Sequence, residues 1–91
     1  MPTLLITYDL NKEKSKDDYA GFYKVIKRGA WTRLTDSTYA VHTDASPTDI
    51  YNQLRPYVDD DDAVFVITLG TPWAGLSTPA AIQWLQTRLR N

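Results

Sequence analysis

The chain has 91 residues, no cysteine and a formal net charge of −1 at pH 7. Its length suits a single domain over residues 1–91, and the missing thiols exclude disulfides, thiolate metal sites and cysteine nucleophiles. The near-zero net charge argues against a dense basic surface of the kind that coats nucleic acid. The sequence has no leader pattern and no apolar run long enough to span a membrane, so it predicts a cytoplasmic protein.

The first predicted strand, residues 3–10, ends on a carboxylate. Apolar residues stand at both odd and even positions of LLITY, so both faces of the strand are apolar, a pattern typical of a central strand. Burial accounts for these residues but not for Asp9, or for Asn11 two positions further on. A polar connection follows, in which a serine-based cap signal opens a predicted helix over 15–28.

The middle of the chain predicts a hairpin, a second helix and another strand. Residues 30–34 and 37–43 are β-prone runs on either side of a two-residue turn. A capping box at 46–49, with proline at the first helical position, opens a predicted helix over 46–58. An almost wholly apolar strand is predicted at 63–69.

Four consecutive aspartates, Asp59 to Asp62, separate the second helix from that strand. Such a run suggests a cation site, but the glycine and glutamate spacing of a calcium loop is missing. A solvated loop between a helix and a core strand is therefore the favoured interpretation.

The last part of the chain, TPWAGLSTP, leads into a helix predicted over 78–90, and residues 71–76 could add a short strand. The order βαββαβ with an appended C-terminal helix is that of an α+β, ferredoxin-like fold. We predict a four-stranded antiparallel sheet in the order 4-1-3-2. Strands one and three should lie in the middle, with the first two helices on one face.

Four short stretches together resemble a known family. They are ITYDLN in the first strand, GAW before the hairpin, DSTYAV in its second arm, and WAG after the fourth strand. These stretches resemble the SinR-like branch of small bacterial proteins, which has no settled activity. Over residues 4–69 the chain also resembles the small CRISPR-associated adaptation subunit, the Cas-two family, and its VapD-like toxin relatives, in a first strand that ends on Tyr-Asp, a helix, a hairpin with Ser-x-aromatic in its second arm, a capped second helix and an apolar fourth strand.

The resemblance implies a homodimer in which Asp9 of each subunit faces its symmetry mate and binds a divalent metal, for which Mg²⁺ is suitable. Two carboxylates across a two-fold axis would activate water for attack on a phosphodiester. The protein would then be a metal-dependent endoribonuclease or endonuclease of antiviral defence. Asp9 would be catalytic, Asn11 would assist it, and Lys12, Lys14 and Arg33 would contact RNA or DNA.

The net acidity of the chain and the missing arginines favour a different function, and the missing fifth strand means that the dimer edge must be built differently. Nuclease-like members carry arginines in the loop after strand one, whereas this chain has Lys12, Lys14 and Lys16, which lack the bidentate fork. The fifth strand that crosses onto the partner's sheet is replaced by the predicted C-terminal helix. The alternative is a catalytically silent dimeric scaffold or nucleic-acid adaptor, as adaptation subunits are when they hold a partner integrase.

Most aromatic residues fall at predicted core positions, with two exceptions. Trp73, between a proline and Ala-Gly beyond the last strand, suits a lid or a dimer contact, and Trp31 is the second candidate interface residue. His42, the only histidine, has the opposite parity to Tyr39 and Val41, so we expect it to face solvent or an interface. Without ligand residues at metal spacing, it is not expected to be catalytic.

Overall fold

The computed structural model describes residues 2–10 and 19–89. Asn11, Lys12 and Lys14, and the predicted start of the first helix, lie outside the described residues. The elements are β1 (Thr3–Asp9), α1 (Ala20–Ile26), β2 (Ala30–Thr35), β3 (Thr38–His42), α2 (Pro47–Leu54), a 3₁₀ turn (Arg55–Tyr57), β4 (Ala63–Leu69) and α3 (Pro79–Arg88). None of the helices in the two described ranges is long and apolar enough to cross a bilayer.

The four strands form one antiparallel sheet in the order β2-β3-β1-β4. Read from its other edge this order is 4-1-3-2, and β1 and β3 lie in the middle as predicted. β1 pairs with β3 on one side, Leu4 opposite Val41, and with β4 on the other, Asp9 opposite Ala63. The α+β class is confirmed, and β2 and β4 form the two edges of the sheet.

One face of the sheet, which we call the α1/α2 face, is covered by the first two helices. Because side chains alternate along a strand, Leu4, Ile6 and Tyr8 of β1 point to the same side as Tyr39 and Val41 of β3. These side chains form the main core with buried helical residues that include Phe22, Val25, Ile26, Ile50 and Leu54. The prediction that the first two helices share one face is confirmed.

The opposite face, which we call the α3 face, is only partly covered. Ala40 points to this side and is fully buried beneath Leu85 of α3 and Leu89, the residue directly after α3. Half-buried side chains complete this smaller cluster, namely Leu34, Leu69, Trp73 and Trp84. The cover reaches β4 only at Leu69, and it leaves Phe65 and Ile67 61% and 50% exposed.

The first helix ends earlier than predicted, at Ile26 rather than at residue 28. The Lys27 N–H still donates to the Tyr23 carbonyl at 3.0 Å, but the Arg28 N–H donates to Val25, only three residues back, at 3.4 Å. This tighter bonding turns the backbone out of the helix and toward β2.

The second helix also ends earlier than predicted, at Leu54 instead of residue 58. Pro56 has no N–H to donate to the preceding turn, so the α-helical ladder stops and residues 55–57 continue as a 3₁₀ turn. The short strand considered at residues 71–76 is wrong, because this described segment has no regular structure.

The start of α2 has the capping box that its sequence predicts. The Asp49 N–H donates to the Ser46 hydroxyl at 3.1 Å, and the Ser46 N–H donates to the Asp49 carboxylate at 3.3 Å. Two helix N-terminal donors are thereby satisfied, and the Asp49 charge lies at the positive end of the helix dipole.

Ser46→Ala should lower the free energy of unfolding by about 1 kcal/mol, because it removes the cap acceptor. Urea denaturation measures this difference. Thr48→Ala, at an exposed position of the same helix, is the control and should change stability by less than about 0.5 kcal/mol. Equal losses in the two variants would contradict the capping role.

An aromatic cluster lies beneath α1. The Tyr8 ring meets Phe22 edge-on at a centroid distance of 5.0 Å and lies 6.0 Å from the Tyr23 ring. Its hydroxyl donates to the Tyr23 hydroxyl at 3.2 Å and lies 3.4 Å from the Asp36 carbonyl. Burial, and then the hydrogen bond to Tyr23, raise the pKa of the Tyr8 phenol, so the buried ring stays neutral.

Tyr8→Phe should make the free energy of unfolding fall less steeply with rising pH in the alkaline range. The folded protein holds the Tyr8 proton more tightly than the unfolded chain does. The contribution of the protonated Tyr8 phenol to the free energy of unfolding is therefore complete below the unfolded pKa of 10.0 and is lost progressively above it. Urea denaturation from about pH 8 to pH 11 measures the slope. Tyr51→Phe, at an exposed position, should keep the wild-type slope, and parallel curves for wild type and Tyr8→Phe would refute the prediction.

Candidate functional site

Asp9, the predicted catalytic residue, is exposed at the end of β1. It pairs with Ala63, the first residue of β4, and its parity places its side chain on the α3 face. The turn that carries the four aspartates leads directly into Ala63. The structure therefore brings Asp9 to the end of the sheet where the acidic turn lies.

The acidic turn holds three carboxylates close together. One oxygen from each of Asp59, Asp61 and Asp62 lies within 4.8 Å of the others. The Asp62 carboxylate accepts the Asp59 N–H at 2.9 Å and faces the Tyr19 hydroxyl at 3.5 Å. Carboxylate oxygens are the ligands that Mg²⁺ and Ca²⁺ prefer, so the donor set fits a hard cation, while the hydrogen bonds also give Asp62 a structural role.

Arg55 fixes the other side of this turn. Its guanidinium donates to the Val58 carbonyl at 2.9 Å and forms an ion pair with the exposed Asp60. The turn thus contains one local cation, which offsets part of the repulsion among its carboxylates.

Trp31, a predicted interface residue, lies on β2 at the other edge of the sheet. Its ring is 39% exposed and sits 5.8 Å from the Tyr39 ring. The Lys27 ammonium lies 4.8 Å from the Trp31 ring centroid and 6.0 Å from those of Tyr23 and Tyr39. We call these four residues the Trp31 cluster, an aromatic surface that carries a cation.

Arg33, a predicted nucleic-acid contact, lies beside this cluster. It follows Trp31 by two positions on β2 and pairs with Tyr39, so both side chains are on the α1/α2 face. Its side chain is 58% exposed and lies 3.3 Å from the Asp36 carboxylate. An exposed pair of this kind contributes little to stability and leaves the guanidinium accessible to a phosphate.

The predicted site residues therefore fall into two groups. Asp9 lies on the α3 face at the end of the sheet where the acidic turn lies, but it is not among the three clustered carboxylates. Trp31 and Arg33 lie together on the α1/α2 face. Lys27 was not predicted as a site residue, since it lies in the turn directly after α1 and meets Trp31 only because that turn leads into β2. A lysine four residues before an exposed tryptophan is the only local signal, and that signal is weak.

The other predicted interface residue, Trp73, packs within its own chain. Its indole N–H donates to the Leu89 carbonyl at 2.7 Å, and its ring joins the cluster around Ala40. His42 lies on the α3 face, half-buried, with its Nδ1 3.1 Å from the Thr3 hydroxyl. Trp73 thus ties the segment after β4 to the end of α3, and its interface role stays a prediction.

No protein-family model matches the chain, and no curated protein matches it. The resemblance to the Cas-two, VapD-like and SinR-like proteins therefore stays a prediction carried by the sequence motifs.

Proposed function

We propose that the protein is a cytoplasmic, Cas-two-like homodimer that serves as a nucleic-acid adaptor and is catalytically silent. The βαββαβ element order, the central β1 and β3, and the shared face of α1 and α2 support a ferredoxin-like fold. The sequence motifs support the family. An integrase or another nucleic-acid enzyme would supply the chemistry.

The observation that carries the proposal is the Trp31 cluster. An exposed indole offers a face on which a nucleic-acid base stacks, and a neighbouring ammonium attracts the phosphate that follows the base. Lys27 and Arg33 place two cations on the same face as the indole. Aromatic faces flanked by cations are what single-stranded nucleic acid binds without strong sequence preference.

The distribution of charge favours the same location. Residues 24–33 contain four Lys/Arg and no Asp/Glu, whereas residues 44–62 contain six Asp and one Arg. The basic segment runs from α1 into the β2 edge, while the acidic one lies around α2 and the turn before β4. A polyanion would therefore be attracted to the β2 side of the molecule and repelled from the other.

Trp31→Ala should weaken the binding of short single-stranded RNA or DNA by about 5- to 150-fold, since loss of one stacked base costs about 1–3 kcal/mol. Lys27→Ala should also reduce the slope of log K against log salt by about 0.7, the value for one phosphate contact on a single strand. Fluorescence anisotropy with mixed-sequence oligonucleotides measures both effects.

Tyr51→Ala is the matched control for Trp31→Ala, because Tyr51 is an aromatic residue of similar exposure, 40%, on α2. It should bind like the wild type. Unchanged affinity in Trp31→Ala, or an equal loss in Tyr51→Ala, would exclude the Trp31 cluster as the binding surface.

A metal-dependent nuclease is the second candidate, and the position of Asp9 favours it. An exposed carboxylate at the end of a central strand, next to a turn with three clustered carboxylates, supplies oxygen donors for Mg²⁺. Asp9 would hold the metal, and the bound metal would activate water for attack on a phosphodiester. In this reading Lys27 and Arg33 only attract the substrate, because they lie on the opposite face.

The nuclease reading predicts that Mg²⁺ or Mn²⁺ raises the melting temperature of the wild type and that Asp9→Asn abolishes this response. Asp61→Asn distinguishes a cation bound by the acidic turn from a cation bound by Asp9. If Asp61→Asn removes the shift and Asp9→Asn keeps it, the acidic turn is the cation site and Asp9 is not catalytic. Cleavage of RNA or DNA oligonucleotides, assayed with the same proteins, should be absent under the adaptor proposal.

A further inference from the structure

The edge strand β4 lacks the features that normally protect a sheet edge. In the described part of the chain, β4 pairs with β1 alone, in a continuous register from Thr3 opposite Leu69 to Asp9 opposite Ala63. Edge strands of soluble proteins usually carry a lysine, a proline or a bulge that discourages further pairing. The sequence AVFVITL has no charge and no proline, and its ladder with β1 has no bulge.

The side chains beside this edge are apolar and exposed. Phe65 and Ile67 are 61% and 50% exposed on the α3 face. Residues 63–87 contain no Asp, Glu, Lys, Arg or His, although 23% of the whole chain is charged. Depletion of charge around exposed aromatic and aliphatic side chains is the composition of an interface core, so this edge is suited to a protein partner.

We infer that β4 is the docking edge for a second copy of this chain. The two β4 strands pair antiparallel about a two-fold axis at Val66, and the two sheets join into one sheet of eight strands. The inference rests on the homodimer of the proposed function and names its interface, which differs from the Asp9-facing arrangement that the resemblance implies.

The strand complements itself in this register. With Val66 opposite its own copy, Phe65 lies opposite the partner's Ile67, and Ile67 lies opposite the partner's Phe65. Aromatic and β-branched side chains directly across an antiparallel pair stabilise it by mutual packing. Each dimer therefore contains two such Phe65–Ile67 pairs, which remove these exposed apolar side chains from water.

The distribution of charge favours antiparallel pairing of the two β4 strands, and it favours a second copy of this chain as the partner. Antiparallel pairing puts the acidic turn of one subunit beside the uncharged Gly70–Pro72 end of the other. Parallel pairing would bring two runs of four aspartates together, which like-charge repulsion disfavours. The acidic turn beside β4 also repels acidic peptides. It does not repel the segment 63–87 of a second copy, because that segment carries no charge.

This dimer separates the two Asp9 carboxylates. Asp9 lies opposite Ala63 of its own β4, and the partner's Ala63 would lie opposite Leu69. Strand spacing and rise per residue then place the two Asp9 residues about 25 Å apart. The β4 dimer is therefore incompatible with one metal ion shared by both Asp9 residues, and it makes the two dimer arrangements distinguishable.

Sedimentation equilibrium tests the interface. The wild type should dimerise with a Kd on the order of 10 μM, as expected for a small interface. Ile67→Lys, which adds the charge that edge strands normally carry, should raise that Kd at least about tenfold. Leu76→Lys, a fully exposed position off the strand, is the control and should dimerise like the wild type.

Cross-linking tests the register directly, because the chain has no cysteine of its own to form a competing disulfide. Oxidised Val66→Cys should form a covalent dimer, since directly opposed Cβ atoms come close to disulfide distance. Thr68→Cys, whose two copies would lie about 13 Å apart along the strands, should remain uncross-linked.

A wild type that stays monomeric at several times this Kd would overturn the inference, as would equal cross-linking of the two cysteine variants. A dimer abolished by Leu76→Lys but not by Ile67→Lys would contradict the inference and place the interface at the segment around Leu76. Trp31→Ala should leave dimerisation unchanged. Loss of nucleic-acid binding with an intact dimer, or the reverse, therefore shows which of the two proposals fails.

Discussion

The burial of β1 beneath α1 and α2, between β3 and β4, is the constraint on which the rest of the structure depends. Leu4, Ile6 and Tyr8 point into the core under α1 and α2, and β3 and β4 flank the strand on either side. A strand enclosed in this way needs a helical layer on one face and at least partial cover on the other. Helix α3 and the segment that Trp73 ties to it give that second cover over β3, and they reach β4 only at Leu69.

This incomplete cover gives the two edges of the sheet different chemistry. The β2 edge carries cations and an exposed indole, a combination suited to a polyanion with stacking bases. The β4 edge carries exposed apolar side chains and no charge, a combination suited to another protein surface. One small domain can therefore hold a nucleic acid on one edge and a second subunit on the other, and the two surfaces do not compete.

Local patterns predicted most of the fold. The apolar strands, the capping box at Ser46 and the hairpin gave the element order, and the central position of β1 followed from apolar residues at both parities. The helix ends were less accurate, because the tightened turn after Ile26 depends on backbone geometry and the effect of Pro56 was overlooked. The pairing of Lys27 with Trp31 arises from how α1 meets β2, so periodicity within either element did not reveal it. Asp9 was found because a carboxylate is unusual at the end of a buried strand, whereas its separation from Arg33 required the sheet to be assembled.

The pairing of β1 with β4 also sets the order in which the molecule can be completed during synthesis. Thr3 pairs with Leu69, so β1 leaves the ribosome well before the strand that pairs with it has been made. Until β4 has been made, β1 can pair only with β3. An apolar strand that is central in the folded sheet is therefore an edge strand during this time. Contacts this distant along the chain slow folding, and a nascent chain in this state is exposed to aggregation. The fold therefore places its greatest demand on molecular chaperones in the interval between the synthesis of β3 and that of β4.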